Sequence, residues 1–166
     1  MKIKFFSVGG TIDKIYFDAK SEYQIGSPQL IGLLEEANIT FEYESESIMQ
    51  KDSLEMTDAD RQLLFDRVAA DENKYIVVTH GTDTMVKSAL KLSEIKGKTI
   101  VLTGALSPAR FKFTDAEFNL GLAVAAVQCK GPGVYIAMSG RVFDADKVCK
   151  NVQLARFEDI EMIIEN

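Results

Sequence analysis

The segment Tyr75-Ile-Val-Val-Thr-His-Gly-Thr-Asp-Thr-Met85 joins an uninterrupted apolar run to a turn of glycine, hydroxyl and acidic residues. Apolar runs without polar alternation are typical of strands that are buried on both faces of a parallel sheet. The same character recurs in Thr99-Ile-Val-Leu102, in Val134-Tyr-Ile-Ala-Met138 and in the opening run from Ile3 to Val8. The sequence therefore predicts four buried strands.

Helical patterns follow these strands. Ser27-Pro28 is typical of an N-cap and a first helical position, and Thr57 with Asp60 favours a second helix start. Two more helices are predicted over 82–92 and 115–128. Alternation of strands and helices predicts an α/β fold, a doubly wound three-layer α/β/α domain with a mostly parallel, flavodoxin- or Rossmann-like sheet. The segment 157–166 fits either a short closing strand or a helix.

Composition narrows the class of protein. The 166 residues suit one domain, and 46% apolar content is ordinary for a globular protein with a core. A net charge of −6 without a basic run argues against a nucleic-acid partner. No apolar run is long enough to span a bilayer, so no membrane partner is expected. The opening Met1 to Phe6 is too short for a signal peptide, which predicts a cytoplasmic protein.

The two cysteines, Cys129 and Cys149, do not have the spacing of metal ligands, and the lone His80 cannot complete a zinc site with them. We expect two reduced thiols, no metal and no cofactor. Cys129 falls in step with Phe118, Leu122 and neighbouring alanines, which predicts that it lies on the buried face of its helix.

Hydroxyl and glycine residues follow the ends of three predicted strands, in Gly9-Gly-Thr11, Thr79-His-Gly-Thr-Asp83 and Thr103-Gly-Ala105. In open α/β sheets, ligands bind beyond the carboxyl ends of the strands, so these residues are expected on one rim. Gly9-Gly10 lacks the spaced glycines of a dinucleotide site and the lysine of a P-loop. Its spacing alone favours a tight turn with a threonine helix cap over a phosphate cradle.

Four polar residues leave alternatives open. Thr82 with Asp83 fits either a helix N-cap pair or a hydroxyl and carboxylate that bind an ammonium group and relay a proton. His80 suggests a Ser-His-Asp arrangement, but a packed or capping histidine is the favoured interpretation. Lys150 is of catalytic interest only if it is buried next to Thr82.

Six segments in chain order resemble the bacterial-type asparaginase and glutaminase family. They are Gly9-Gly-Thr-Ile12, Tyr23-Gln-Ile-Gly26, Asp52-Ser-Leu-Glu-Met-Thr57, Thr79-His-Gly-Thr-Asp-Thr-Met85, Leu102-Thr-Gly-Ala105 with Thr114-Asp-Ala-Glu-Phe-Asn-Leu120, and Asp144-Ala-Asp-Lys-Val-Cys-Lys150. The resemblance covers nearly the whole chain. It implies that 1–166 is a single domain of the N-terminal, nucleophile-bearing type, without the second domain of the family.

The resemblance also implies catalytic roles. Thr11 would be the nucleophile that attacks a side-chain amide carbon and forms an acyl-enzyme. Tyr23 would close over Thr11 and help to move the proton. Thr82, Asp83 and Lys150 would form a second group, in which Lys150 activates through Thr82. These implied roles are chemically consistent, since a threonine hydroxyl acts as a nucleophile only with a base within hydrogen-bond reach.

Substrate-binding roles follow from the same resemblance. Ser53 would bind the α-carboxylate of an amino-acid amide, and Asp83 would bind its α-ammonium group. Thr82, Gly10 and Ala105 would complete the substrate site, with backbone N–H groups near Thr11 and Thr82 forming an oxyanion hole.

Several residues depart from the family pattern. Leu54 stands where glutamine is common, and Glu55 where aspartate or asparagine is more familiar. The loop 13–22 carries bulky and charged residues in place of a glycine-rich hinge. These departures affect substrate fit more than the nucleophile.

Three functional hypotheses remain. The first is hydrolysis of an asparagine-type amide by a homodimer or higher homo-oligomer, in which a partner copy completes the pocket. The second is an amino-acid-binding module with little or no catalysis, or a subunit that pairs with a separate chain. The third is a nucleotide-binding protein, which rests on the fold alone.

Overall fold

The computed structural model describes residues 1–17 and 22–160. Strands and helices alternate along this part of the chain: β1 Lys2–Gly9, β2 Lys14–Phe17, β3 Glu22–Ile25, α1 Leu30–Glu36, β4 Glu42–Lys51, α2 Asp58–Ala70, β5 Tyr75–Thr79, α3 Met85–Leu92, β6 Thr99–Thr103, α4 Ala116–Cys129, β7 Gly133–Met138, β8 Arg141–Asp144, β9 Val148–Asn151 and β10 Arg156–Asp159. Single 3₁₀ turns lie at Thr11–Asp13 and Ser53–Glu55. No helix of the described chain is both long enough and apolar enough to cross a bilayer.

The central sheet has the order β4-β1-β5-β6-β7-β8. All neighbouring pairs are parallel except β7 and β8, which are antiparallel. Two small antiparallel pairs, β2 with β3 and β9 with β10, lie outside this sheet. This architecture confirms the predicted doubly wound α/β fold. The strand order reverses at β1 and β5, which creates a crevice between their carboxyl ends.

Apolar residues cover both faces of the sheet. Val77 faces a cluster that contains Leu34 of α1 and Val127 of α4, whereas the next residue, Val78, faces Leu64 of α2 and Leu92 of α3. Successive residues of a strand point to opposite faces, so an apolar run in β5 supplies both cores at once. The three layers therefore follow directly from the uninterrupted apolar strands.

The four predicted strands are confirmed, with shifts of about one residue at their ends. The sequence did not predict β4, since its alternation of Glu42, Glu44 and Glu46 with less polar residues gives an edge strand without a fully buried residue. Charged edge strands are common because they discourage pairing with other chains. The two antiparallel pairs were also missed.

Two helix starts were predicted wrongly. α1 begins at Leu30 rather than after Ser27, because the Gln29 backbone N–H binds the Asp13 carboxylate at 2.8 Å. α3 begins at Met85, because the chain bends over 82–84 before the first helical turn. The start of α2 is confirmed, since Thr57 and Asp60 form a capping box.

The prediction for Cys129 was wrong. Cys129 is exposed, and Phe118 of the same predicted face is 66% exposed. The buried side of α4 instead carries Ala116, Asn119, Leu120, Ala123, Ala126 and Val127. Because α4 has apolar residues on both sides, its periodicity did not identify the side that meets the sheet. Of the C-terminal segment, Arg156–Asp159 forms a strand, and 161–166 lie outside the described residues.

Candidate active site

The crevice between β1 and β5 brings two threonine-bearing loops together. The loop after β1 carries Thr11, and the loop after β5 carries Thr82. β1 pairs with β5 in parallel up to Ser7 and Thr79, so both strands end at the same edge of the sheet. This is the position at which open α/β sheets bind their ligands.

Glycines allow these loops to touch through their backbones. Gly10 has φ +94°, and a Cβ there would lie 2.4 Å from the Gly81 backbone. A Cβ on Gly81 would lie 2.7 Å from the Ser53 side chain, and one on Gly104 would lie 2.3 Å from the His80 carbonyl oxygen. No side chain fits at such distances, so glycine is required at these contacts. The loops that carry Thr11, Ser53 and Thr82 therefore pack directly on one another.

Lys150 lies next to Thr82 and Asp83. Its Nζ donates to Thr82 Oγ1 at 2.7 Å and to Asp83 Oδ1 at 2.5 Å, and its side chain is only 13% exposed. β9 holds Lys150 in place by pairing it with Phe157 of β10, which is buried in the core. Lys150 therefore lies beside Thr82 and is partly buried, and its catalytic role stays a prediction.

Thr11 opens the 3₁₀ turn after β1 and lines an open cavity of about 260 Å³. Lys14, Tyr23, Pro108 and Phe111 form the rest of its wall. Tyr23 lies on β3, half exposed, and its ring packs edge-on to Phe111 with centroids 6.1 Å apart. The structure thus places Tyr23 and Thr11 on the same cavity. The tip of the loop that joins β2 to β3, 18–21, lies outside the described residues.

Asp13 fixes the base of the β2–β3 hairpin, a role that the sequence did not predict. Its buried carboxylate accepts hydrogen bonds from the Gln29 backbone at 2.8 Å and from Ser7 Oγ at 3.2 Å. Its carbonyl oxygen accepts from Gly26 N at 2.8 Å. Burial raises the pKa of Asp13 above its ordinary value, and the two hydrogen bonds offset only part of this rise. The hairpin that carries Tyr23 is therefore held at both ends.

Ser53 lies in the turn after β4, and it is buried. Its Oγ has no hydrogen-bond partner among the described residues, although its carbonyl oxygen accepts from Thr84 Oγ1 at 2.8 Å. Unpaired buried polar atoms are uncommon in folded proteins and require an explanation. The preceding residue, Asp52, forms an ion pair with Lys14 at 3.0 Å.

Ala105 and Gly10 contribute differently from the side chains above. Ala105 is fully buried and packs with Ile12 and Ala116 in a small apolar cluster behind the Thr11 turn. The Gly10 N–H already donates to the Lys51 carbonyl oxygen at 3.0 Å. This bond removes one donor that a phosphate cradle at Gly9-Gly10 would need, which weakens the nucleotide hypothesis further.

His80 is fully buried, with both ring nitrogens bonded. Nδ1 lies 2.7 Å from the Gly81 carbonyl oxygen, and Nε2 lies 2.8 Å from Ser88 Oγ. A neutral imidazole satisfies both partners by donating to Gly81 and accepting from Ser88. Burial lowers the pKa of His80 to about 4, which keeps it neutral near pH 7. This geometry favours the packed histidine over the Ser-His-Asp interpretation.

Comparison with known proteins identifies the family of this chain. The family model described as "Asparaginase, N-terminal" matches residues 2–161. The chain belongs to the asparaginase family. The resemblance inferred from six sequence segments is therefore confirmed.

Individual asparaginase-family proteins are similar over most of the chain. A glutaminase-asparaginase of Acinetobacter glutaminasificans is 35% identical, and the match covers 71% of this chain and 37% of that protein. The thermostable L-asparaginase from Thermococcus kodakarensis superposes with a TM-score of 0.82 at 29% identity, covering 96% of this chain and 51% of that one. A probable cytoplasmic L-asparaginase from Campylobacter jejuni gives 0.74 at 30% identity, with 95% and 51% covered. The chain thus spans about half the length, or less, of these asparaginase-family relatives.

Proposed function

We propose that this protein is an asparaginase-type amidohydrolase that converts L-asparagine or a related small amide to the acid and ammonia. The contact of Lys150 with Thr82 and Asp83, in the crevice that also holds Thr11, is the observation that carries the proposal. A partly buried ammonium group in contact with a hydroxyl and a carboxylate is a means of moving a proton.

The reaction has two steps. Thr11 Oγ1 attacks the amide carbon, the C–N bond breaks, and the threonine proton leaves with the nitrogen as ammonia. A water molecule then attacks the acyl-enzyme ester, which releases the acid and restores the hydroxyl. Tyr23, on the wall of the same cavity, and the Thr82–Lys150 pair are the two groups that would transfer protons.

Substrate binding uses groups that surround the crevice. Asp83 contacts Lys150 through Oδ1, and its other oxygen would accept the substrate ammonium group. The Ser53 hydroxyl, which has no partner in the part of the chain that the structure describes, would bind the carboxylate after a small local movement. Gly10 and Ala105 would complete the substrate site, and backbone N–H groups near Thr11 and Thr82 would stabilise the oxyanion.

We further propose that the protein is cytoplasmic and forms a homodimer or a higher homo-oligomer. Exposed apolar side chains support a covering partner, since Phe111 on the cavity wall is 45% exposed and Phe113, two residues further along the chain, is 86% exposed. Sedimentation of the purified protein and cell fractionation test these statements. A monomer at catalytic concentrations, or recovery from the periplasm, would contradict them.

Ammonia release from L-asparagine, measured with a Thr11→Ala variant beside the wild type, tests the activity. We expect a loss of at least about a thousandfold, because the variant lacks the nucleophile, with an unchanged urea midpoint. Thr40→Ala is the matched control, since Thr40 is an exposed threonine outside the helices and strands. Equal activity of the Thr11→Ala and wild-type proteins would overturn the proposal.

An amino-acid-binding module is the second candidate, favoured by the openness of the Thr11 cavity and the half-exposed Tyr23. Calorimetry separates the two candidates. Binding of L-aspartate by a folded protein that releases no ammonia would support the module.

A further inference from the structure

Lys14 is a cation on the wall of the Thr11 cavity, and the function proposed above gives it no role. It begins β2, three residues after Thr11, in the loop that departs from a glycine-rich pattern. The rest of the wall consists of the Thr11 hydroxyl, two aromatic rings and a proline. A flexible ammonium group in such surroundings strongly attracts an anionic group of a substrate.

We propose that Lys14 binds the carboxylate of the substrate and so selects amides that carry an anionic group close to the reacting amide. The inference rests on the proposed amidohydrolase function and deepens it. Ser53 alone is a weak anchor, because its hydroxyl is buried and neutral. Lys14 has three donors, and Asp52 occupies one of them at 3.0 Å. No other ion pair of Lys14 is found among residues 1–17 and 22–160, and its side chain is 29% exposed, so the other donors can bind a carboxylate in the cavity.

Asp52 provides a second test of this inference, because its substitution should change carboxylate binding in the opposite direction to that of Lys14. One of its oxygens pairs with Lys14, and the other accepts the Leu54 N–H at 3.1 Å. An asparagine at this position retains an acceptor for Leu54 but removes the negative charge that competes with a substrate carboxylate. Lys14→Gln should therefore weaken carboxylate binding, whereas Asp52→Asn should strengthen it.

A purely structural role for the pair gives the opposite pattern. The ion pair also ties the base of the β2–β3 hairpin to the Ser53 turn. If that tie were its only function, Lys14→Gln and Asp52→Asn would both loosen it. Both variants would then weaken the binding of every substrate, whether or not it carries a carboxylate.

Three amides separate these possibilities. L-Asparagine carries both a carboxylate and an ammonium group, succinamic acid carries only the carboxylate, and 3-aminopropanamide carries only the ammonium. We expect Lys14→Gln to lower kcat/KM about tenfold for the first two and to change the third by less than about twofold. Lys14→Arg should restore most of the loss. Lys112→Gln, at an exposed lysine of the loop before α4, is the matched control.

Calorimetry tests Lys14 even if no amide is hydrolysed. Succinamic acid is titrated into the Thr11→Ala protein with Lys14, with Lys14→Gln or with Asp52→Asn. An approximately tenfold higher Kd for Lys14→Gln and a lower Kd for Asp52→Asn support the inference. Parallel losses in both variants, an equal loss for 3-aminopropanamide turnover, or no succinamic acid binding at all would overturn it. Failure of the amidohydrolase proposal appears separately, as wild-type protein without ammonia release.

Discussion

Lys150 lies on β9, outside the central sheet, and its contact with Thr82 is the residue-scale feature on which catalysis should depend. Lys150→Gln keeps a donor for Thr82 Oγ1 but cannot take up a proton. We expect kcat for ammonia release to fall by about a hundredfold or more, with a smaller change in KM. Lys147→Gln is the control, because Lys147 is exposed and precedes the same strand. Equal kinetics in the two variants would contradict the role of Lys150.

His80 should make stability depend on pH below neutrality. Its pKa is about 4 in the folded protein, compared with 6.5 as an ordinary value, so the unfolded chain binds a proton more readily. Stability from the neutral imidazole is fully present above pH 6.5 and is lost as pH falls toward 4. Between pH 7 and pH 5 this loss should be about 2 kcal/mol of unfolding free energy, measured by urea titration.

A His80→Asn variant provides the comparison for this pH effect. Its unfolding free energy should be lower than that of the wild type at pH 7, because the Ser88 contact and packing are disturbed. Between pH 7 and pH 5, however, it should lose about 2 kcal/mol less than the wild type. Identical pH slopes would show that His80 is not held neutral in the folded protein. His80 is the only histidine of the chain, so no other imidazole obscures the result.

The sequence could predict some site residues and not others. Thr11 and Thr82 were identifiable because each follows a strand end in a recognisable motif. The role of Lys150 depended on a contact with Thr82 across 68 positions, which spacing cannot show. Asp13 was missed because its partners, Ser7 and Gln29, are joined to it only by the folding of the hairpin base. The one available signal was an acidic residue immediately after a buried isoleucine.

At the scale of elements, the loops of the crevice depend on glycine contacts. Gly10→Ala would place a Cβ 2.4 Å from the Gly81 backbone and would strain a residue with φ +94°. We expect it to lower the unfolding free energy by at least about 2 kcal/mol. Gly121→Ala is the matched change, since a Cβ there meets nothing within 4 Å on α4. Alanine at that helical position should raise stability by about 0.5–1 kcal/mol, measured by urea unfolding.

Predictability differed between element types. Strands buried on both faces, such as β5 and β6, were apparent because no polar residue interrupts them. β4 was missed because an edge strand needs few apolar residues, and its pairing with β1 appears only in the sheet. The start of α1 was misplaced because a tertiary bond from Gln29 to Asp13 replaced the local Ser27-Pro28 signal. Local patterns therefore identified central elements and failed where distant contacts decide.

At the scale of the whole molecule, two cores share one sheet and should unfold together. Leu64→Ala on one face and Leu120→Ala on the other each remove a buried side chain. We expect losses of about 2–5 kcal/mol in each variant, with a single transition in near- and far-ultraviolet circular dichroism. Leu90→Ala, at a half-exposed position of α3, should cost less than about 1 kcal/mol. Two separate transitions would show that the cores are independent.

The contact of Lys150 with Thr82 also has a consequence for co-translational folding. β1, β5, β6 and the helices between them are synthesised before β9, so the sheet can begin to pair while Lys150 is still absent. The loop that carries Thr11 and its glycine contacts could therefore form early in translation, before Lys150 is present. Under the proposed function, a nascent chain would therefore become active only after β9 has emerged and packed beside the crevice, later than the onset of folding of the sheet.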